Sequence, residues 1–146
     1  MLSSRLFECP SNLLTQAEQL KQLRTAFDKA ETTKVMKSAK IATEHNLIEP
    51  TLIGDSNAIN SIATAIHWDV EKFTVIDAGS EIEAAKISVG KAQSGEVSAL
   101  MKGHIHTEIL MHEALKRKQG IRLKRRPSHA FYMTVPGHEH SICITD

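Results

Sequence analysis

Short apolar runs alternate with segments of helical periodicity through the middle of this chain, and no other feature restricts the fold as much. Thr51-Leu52-Ile53, Phe73-Thr74-Val75-Ile76, Ser98-Ala99-Leu100-Met101 and the run from Ala130 to Val135 are each short, apolar and bounded by Gly, Pro or Asp. Each reads as a buried strand. Between the first two, Ala58, Ile59, Ile62, Ala63 and Ile66 recur at helical spacing, with Asp55 or Ser56 placed to cap the first turn. Between the next two, Ile82, Ala85, Val89 and Ala92 form a second stripe, opened by the capping-box pattern Ser80-Glu81-Ile82-Glu83. Both connections are long enough to be crossover helices, so the rhythm is that of βαβ units joined into a parallel sheet.

Upstream, Val35, Met36, Ala39 and Ala42 predict a helix ending near Asn46. Thr25-Ala26-Phe27 predicts a first strand before it, and residues 11–22 form a weaker amphipathic segment. Downstream, Leu110, Ala114 and Leu115 predict a helix that runs into a basic stretch, and Ser141 to Thr145 one more strand. No internal repeat, low-complexity tract or flexible linker interrupts the chain. Residues 1–146 therefore read as a single, mostly parallel, three-layer α/β/α domain. A terminal strand without a following helix would leave Ile142 and Ile144 short of the cover that strands of a parallel sheet have on both faces, so part of the fold is expected to be missing.

A chain of 146 residues with 41% hydrophobic content can bury one core without disulfides. Cys9 and Cys143 lie far apart and belong to no CxxC or Cys/His zinc spacing, so neither a disulfide framework nor a metal site is predicted. Cys143, among the apolar residues of its strand, reads as a buried structural thiol rather than a nucleophile. No run approaches the ~20 apolar residues of a membrane span, and residues 1–10 lack the apolar stretch of a signal peptide. The expectation is a soluble cytoplasmic protein.

Charge is unevenly spread. Residues 116–127 (KRKQGIRLKRRP) hold seven Lys/Arg and no acid, and since the whole chain stands at +1, the remainder carries −6. In open parallel sheets ligands bind where strands end and helices begin, because loops converge there and helix N-termini offer unsatisfied N–H groups to anions. Three segments fit that position. The first runs from Met101 through Lys102, Gly103, His104, Ile105 and His106 to Thr107: a point positive charge, a glycine permitting close backbone approach, and a hydroxyl that caps the helix or meets a phosphoryl oxygen. It suits a phosphate or an acyl phosphate, although the alternative of an ordinary strand-to-helix turn stands beside it. Neither GxxxxGK[ST] nor GxGxxG occurs, and His104 with His106 makes a poor metal site without further ligands.

The second segment is Arg125-Arg126-Pro127-Ser128-His129, where guanidinium forks match the phosphates of coenzyme A or inorganic phosphate, with a solvated surface loop as the alternative. Nucleic acid is the competing partner for such a patch. It is disfavoured because the chain has six aromatic residues and only Phe131 and Tyr132 lie near the arginines. The third, Val135-Pro136-Gly137-His138-Glu139-His140, reads as a turn between two strands, its histidines exposed. Asp77 and Asp146 are the carboxylates best placed near a cleft, and each suits a helix cap at least as well as a base.

The order and wording of these segments are specific. Residues 47–55 (LIEPTLIGD), residues 95–103 (GEVSALMKG), His106-Thr107, residues 125–133 (RRPSHAFYM) and Ile144-Thr145-Asp146 together resemble the phosphate acetyl/butyryltransferase family, from about Arg24 to the end of the chain. The resemblance implies a fold like that of the isocitrate and isopropylmalate dehydrogenases, with two α/β domains flanking a cleft, usually in dimers or larger oligomers. It implies an acyltransferase moving an acetyl or short acyl group between coenzyme A and inorganic phosphate: the thiolate attacks the acyl phosphate carbonyl directly, a carboxylate base activates the thiol, and no acyl-enzyme forms. Coenzyme A is a co-substrate, and no bound cofactor or metal is implied. By position, Lys102, Gly103, His106 and Thr107 would line the acyl phosphate side, joined by Arg125, while Arg126, Ser128 and His129 would hold phosphate or the transition state. Family members are about twice this length, so the chain would correspond to their N-terminal half and catalyse poorly or not at all alone. A catalytically inactive phosphate-binding or oligomerisation module is the alternative. Glu31 and residues 34–36 depart from the more apolar first strand and turn of relatives.

Overall fold

A computed structural model describes residues 9–124, 127–133 and 142–145. They fall into two compact units, Leu20–Arg122 and a smaller one formed by the described residues before Leu20 and after Arg122.

The larger unit is built on four parallel strands, β1 (Leu23–Asp28), β2 (Ile48–Gly54), β3 (Thr74–Asp77) and β4 (Ala99–Lys102), in the order β3-β2-β1-β4. Register pairs Asp28 with both Ile53 and Lys102, and Gly54 with Asp77, so every strand ends at one carboxyl edge. Alternation along the strands divides the core. Phe27 and Leu52 pack against α2 (Thr33–Glu44) and α3 (Ser56–Ala65) through Met36, Ala39, Ile59 and Ala63, with Trp68 and Val70 closing that layer. Ala26 and Ile53 turn the other way, against Ala78, Ala84 and Val97, beneath α4 (Glu81–Gln93). The fifth helix, α5 (Thr107–Ala114), packs on α4 and lies in the same layer. Helices thus cover both faces of a mostly parallel sheet, as the strand and helix rhythm predicts.

Capping chemistry sets where the helices start. Asp55 accepts the Asn57 and Ala58 N–H groups at 2.9 and 3.0 Å, and Thr32 accepts that of Val35. At α4, Ser80 Oγ accepts the Glu83 N–H at 3.2 Å while Glu83 reaches back to accept the Gly79 N–H at 2.9 Å, a capping box displaced by one residue.

Several expectations need correction. β3 and β4 are the edges of the sheet and are partly exposed rather than buried, one flank of each having no neighbouring strand among the described residues. In the smaller unit, β5 (Ala130–Met133) and β6 (Ile142–Thr145) form an antiparallel pair with every residue exposed, so neither is a buried strand of the parallel sheet. Residues 134–141 are too few for the crossover a parallel pair requires. Cys143 is accordingly an exposed thiol, not a buried one. Register places Phe131, Met133, Ile142 and Ile144 on one uncovered face of the pair. The same unit contains α1 (Ser11–Glu18), which buries no residue and is shorter than the amphipathic segment read from the sequence. Val135, the 136–140 turn, Ser141 and Asp146 lie outside the described residues.

Candidate functional site

Strand order creates the site. The chain leaves β1 toward α2 on one face and leaves the adjacent β4 toward α5 on the other, so the two loops diverge at the carboxyl edge. This is the switch point at which doubly wound sheets accommodate ligands. The segment 102–107 occupies that position. Its turn is clamped to β1: the Gly103 N–H donates to the Asp28 carbonyl at 2.9 Å, and the His104 N–H to the Lys29 carbonyl at 3.1 Å. A Cβ on Gly103 would collide with those two carbonyls. Glycine is therefore required by the approach of one backbone to another, a reason independent of any ligand.

Lys102 curls over the turn, its Nζ donating to the Ile105 carbonyl at 2.6 Å. His106, not Thr107, stands at the N-cap of α5, and Thr107 is the first helical residue. The cap's own N–H is taken by Glu81, the first residue of α4: Glu81 Oε2 accepts it at 2.8 Å and accepts from or contacts His106 Nδ1 at the same distance, with Oε1 at 3.1 Å. These bonds hold the Glu81 carboxyl below its ordinary pKa, the backbone N–H contributing most, then the His106 ring, with the charges of His106 and His104 adding to the effect.

Two hollows flank this turn. One, of about 320 Å³, is lined by Glu81 and residues 102–107. The other, of about 370 Å³, lies on the α2 side and is more apolar, with Phe27, Val35, Ala42, Ile48 and Met101 facing Thr32, Lys34 and the same Lys102, Gly103 and His104. A further hollow of about 240 Å³ involves Arg24, Glu49, Lys72 and Lys91 at the amino edge, away from these residues.

Beside the turn, Lys29 takes a left-handed conformation (φ 51°), its Nζ paired with Glu31 and donating to the Ala78 carbonyl at 3.5 Å. Glu31 in turn accepts the Asp55 N–H at 2.9 Å. Asp77 accepts the Ser56 N–H at 3.0 Å, which holds its carboxyl below the ordinary range, so it is engaged at the start of α3. Asp28, at the end of β1, is fully buried and neither of its oxygens has a hydrogen-bond partner among the described residues. Burial raises its pKa to about 6, with the nearby Ser88 hydroxyl offsetting part of the effect. That hydroxyl donates to the Ala85 carbonyl at 3.1 Å and does not satisfy the carboxyl.

The structure thus brings Lys102, Gly103, His106 and Thr107 together at one mouth. Ser128 and His129 belong to the smaller unit, both exposed, with the His129 ring edge-on to Phe131 at 4.2 Å. Arg125 and Arg126 lie outside the described residues. Glu81, Lys29, Glu31 and Asp28 escape sequence reasoning. Glu81 was visible only as part of a capping box, and nothing local signals that it meets a residue 25 positions away. Among the described residues no group of three His, Cys, Asp or Glu converges to hold a metal, and no helix is long and apolar enough to cross a membrane.

This is a doubly wound α/β unit with the 102–107 turn at its switch point, and its fold matches that of under half of the chain of solved phosphotransacetylases. A phosphotransacetylase from Streptococcus pyogenes superposes with a TM-score of 0.74 at 16% identity, covering 90% of this chain and 49% of that one. A branched-chain phosphotransacylase from Enterococcus faecalis V583 gives 0.62 at 22% identity, over 85% of this chain and 43% of the other. No family model matches the sequence.

The chain is a sequence relative of the phosphate acetyl- and butyryltransferases. It is 40% identical over 135 residues to a phosphate acetyltransferase of Rickettsia typhi, which covers 92% of this chain and 39% of the relative. It is 28% identical to a phosphate butyryltransferase of Clostridium beijerinckii, over 92% of this chain and 44% of that protein. The chain therefore spans about two fifths of the length of the curated relatives it matches.

Proposed function

We propose that this chain supplies the phosphate side of an acyltransferase that exchanges an acetyl or short acyl group between coenzyme A and inorganic phosphate. The observation that carries this reading is the turn at residues 102–107, fixed to β1 at the switch point and open to a hollow on each side, in a chain 40% identical to a phosphate acetyltransferase. Lys102, His106 and Thr107 would receive the phosphoryl oxygens of acetyl phosphate, while Gly103 keeps the turn close to the strand ends. Arg125, Arg126, Ser128 and His129 would add charge and hydrogen bonds to phosphate or to the oxyanion formed when the thiolate attacks the acyl carbon. The more apolar hollow on the α2 side suits an acyl group or the pantetheine arm.

In this reading residues 1–146 act as one domain equivalent to the N-terminal part of the relatives, in the cytoplasm, with the remaining three fifths supplied by further polypeptide or by an oligomeric partner. Coenzyme A, acetyl-CoA, phosphate and acetyl phosphate are its substrates and products. The general base is expected outside this chain, so the isolated chain should bind but barely turn over. Titration of isotope-labelled protein with acetyl phosphate and with coenzyme A tests it: shifts centred on residues 102–107 are expected. Robust acetyl phosphate formation from acetyl-CoA by the isolated chain would refute the division of labour, and no response at those residues would refute the reading itself.

A further inference from the structure

We infer that Glu81 is a positioning residue for the anion site, acting through His106. The inference rests on the proposed phosphate-side reading and names a residue to which that reading gives no role. Glu81 begins α4 and His106 ends the β4–α5 turn, yet one carboxylate grips both the backbone and the ring of the histidine: the N–H at 2.8 Å and Nδ1 at 2.8 and 3.1 Å. A carboxylate accepts hydrogen bonds only, so Nδ1 must carry the proton. The ring is then held with Nε2 as its only remaining polar atom, and Glu81 and His106 line the same 320 Å³ hollow as Lys102, His104 and Thr107. The neutral ring offers Nε2 as an acceptor there. The protonated ring offers a donor, which a phosphoryl oxygen requires.

The backbone bond matters as much as the ring bond. By accepting the N–H of the N-cap as well as meeting Nδ1, Glu81 anchors the entry of α5 and the setting of the ring on one carboxylate through two separate bonds. Such a carboxylate-oriented imidazole couples anion binding to proton uptake. The other charged and titratable groups nearby are Lys102 at the end of β4 and His104 in the turn, which line the same hollow, and Glu108 in the first turn of α5. Lys102 Nζ already donates to the Ile105 carbonyl. Glu81, its carboxyl held below the ordinary range by the His106 N–H and ring, stays ionised in the neutral range.

Isotope-labelled chain is titrated with sulfate, whose charge is constant from about pH 5 to 8, and separately with acetyl phosphate. The side-chain nitrogen resonances of the histidines are recorded alongside. The wild type should show His106 as the Nδ1–H tautomer when neutral and should bind sulfate about tenfold more tightly at the acid end, the equivalent of one charge-assisted hydrogen bond. Glu81→Gln should release the tautomer preference and flatten that pH profile, Glu81→Asp should restore part of both, and His106→Asn should reduce the pH dependence to the share that His104 contributes while leaving weaker binding through Lys102. Binding with the same pH profile in the wild type and Glu81→Gln would overturn the inference and leave the phosphate-side reading intact. A fixed tautomer with no response of residues 102–107 to either anion would overturn the phosphate-side reading, and with it the anion role of Glu81.

Discussion

Replacing Asp28 by valine should make the protein more stable, by an amount that grows with pH. The carboxyl is fully buried at the end of β1, has no hydrogen-bond partner among the described residues, and has its pKa raised from 3.8 to about 6. A shift of about 2 units is worth about 3 kcal/mol, since each unit is about 1.4 kcal/mol of differential interaction between the two protonation states. The sign follows from linkage. The folded chain holds this proton more tightly than the unfolded chain, so the associated stability is fully present below pH 3.8 and is lost as pH rises through about 6. Above that range the ionised Asp28 weighs against folding by the full ~3 kcal/mol, and valine, close to aspartate in volume and suited to a strand, does not.

Urea denaturation of the wild type and Asp28→Val at several pH values measures this as a difference. The difference cancels carboxylates whose pKa values are lowered, such as Asp77 and Glu81, which contribute in the opposite direction: their stabilisation is present at neutral pH and disappears in acid. The stability gained by the variant should rise by about 3 kcal/mol from about pH 3 to about pH 8, equivalent to roughly 10 °C in melting temperature at the upper end. Asp28→Asn, which keeps the shape but cannot ionise, should reproduce the pH dependence without the full gain, because its amide is still buried. A gain that is the same at every pH would show that the carboxyl is not buried in the way described.

Other substitutions test the scaffold. Gly103→Ala drives a methyl into the Asp28 and Lys29 carbonyls and should cost about 2 kcal/mol or more in denaturant melts, with loss of the signals of the adjacent turn. Ser80→Ala removes the acceptor of the Glu83 N–H and should cost about 1 kcal/mol at the start of α4, measured in the same way. Cys9 and Cys143 are both exposed and free, so both thiols should react promptly with a chromogenic disulfide in the native protein; a Cys143 that stays protected in a Cys9→Ser variant would contradict the β5–β6 arrangement.

The strands and helices of the larger unit were legible because each rests on local chemistry: alternation at Phe27 and Leu52 against Ala26 and Ile53, the Asp55 cap, the Ser80 capping box. Strand order is different, since the chain carries no local mark of which strand lies beside which. The order β3-β2-β1-β4 sets β4 against β1 and brings the residues following β3 along the carboxyl edge, where Ala78 donates to the Gly54 carbonyl and receives Lys29. Only then do Glu81 and His106 meet. The site was therefore legible as a list of groups on one segment and illegible as a set of partners. The β5–β6 pair failed for another reason: its apolar pattern is equally that of a buried strand, and only the short 134–141 connection distinguishes an antiparallel pair from a parallel one.

That distinction bears on how Gly103 and Lys102 are to be interpreted. Both were read from the sequence as ligand-facing, yet each has a structural duty that would preserve it without a ligand: Gly103 against β1, Lys102 over the Ile105 carbonyl. Substituting either disturbs the turn, so a loss of anion binding in those variants would not separate contact from support. His106 differs, because its Nε2 makes no hydrogen bond within the fold among the described residues, and the backbone bond to Glu81 holds the helix start independently of the ring. The decisive comparison is accordingly at His106 and Glu81, where the ring's role and the helix cap's role can be separated by pH.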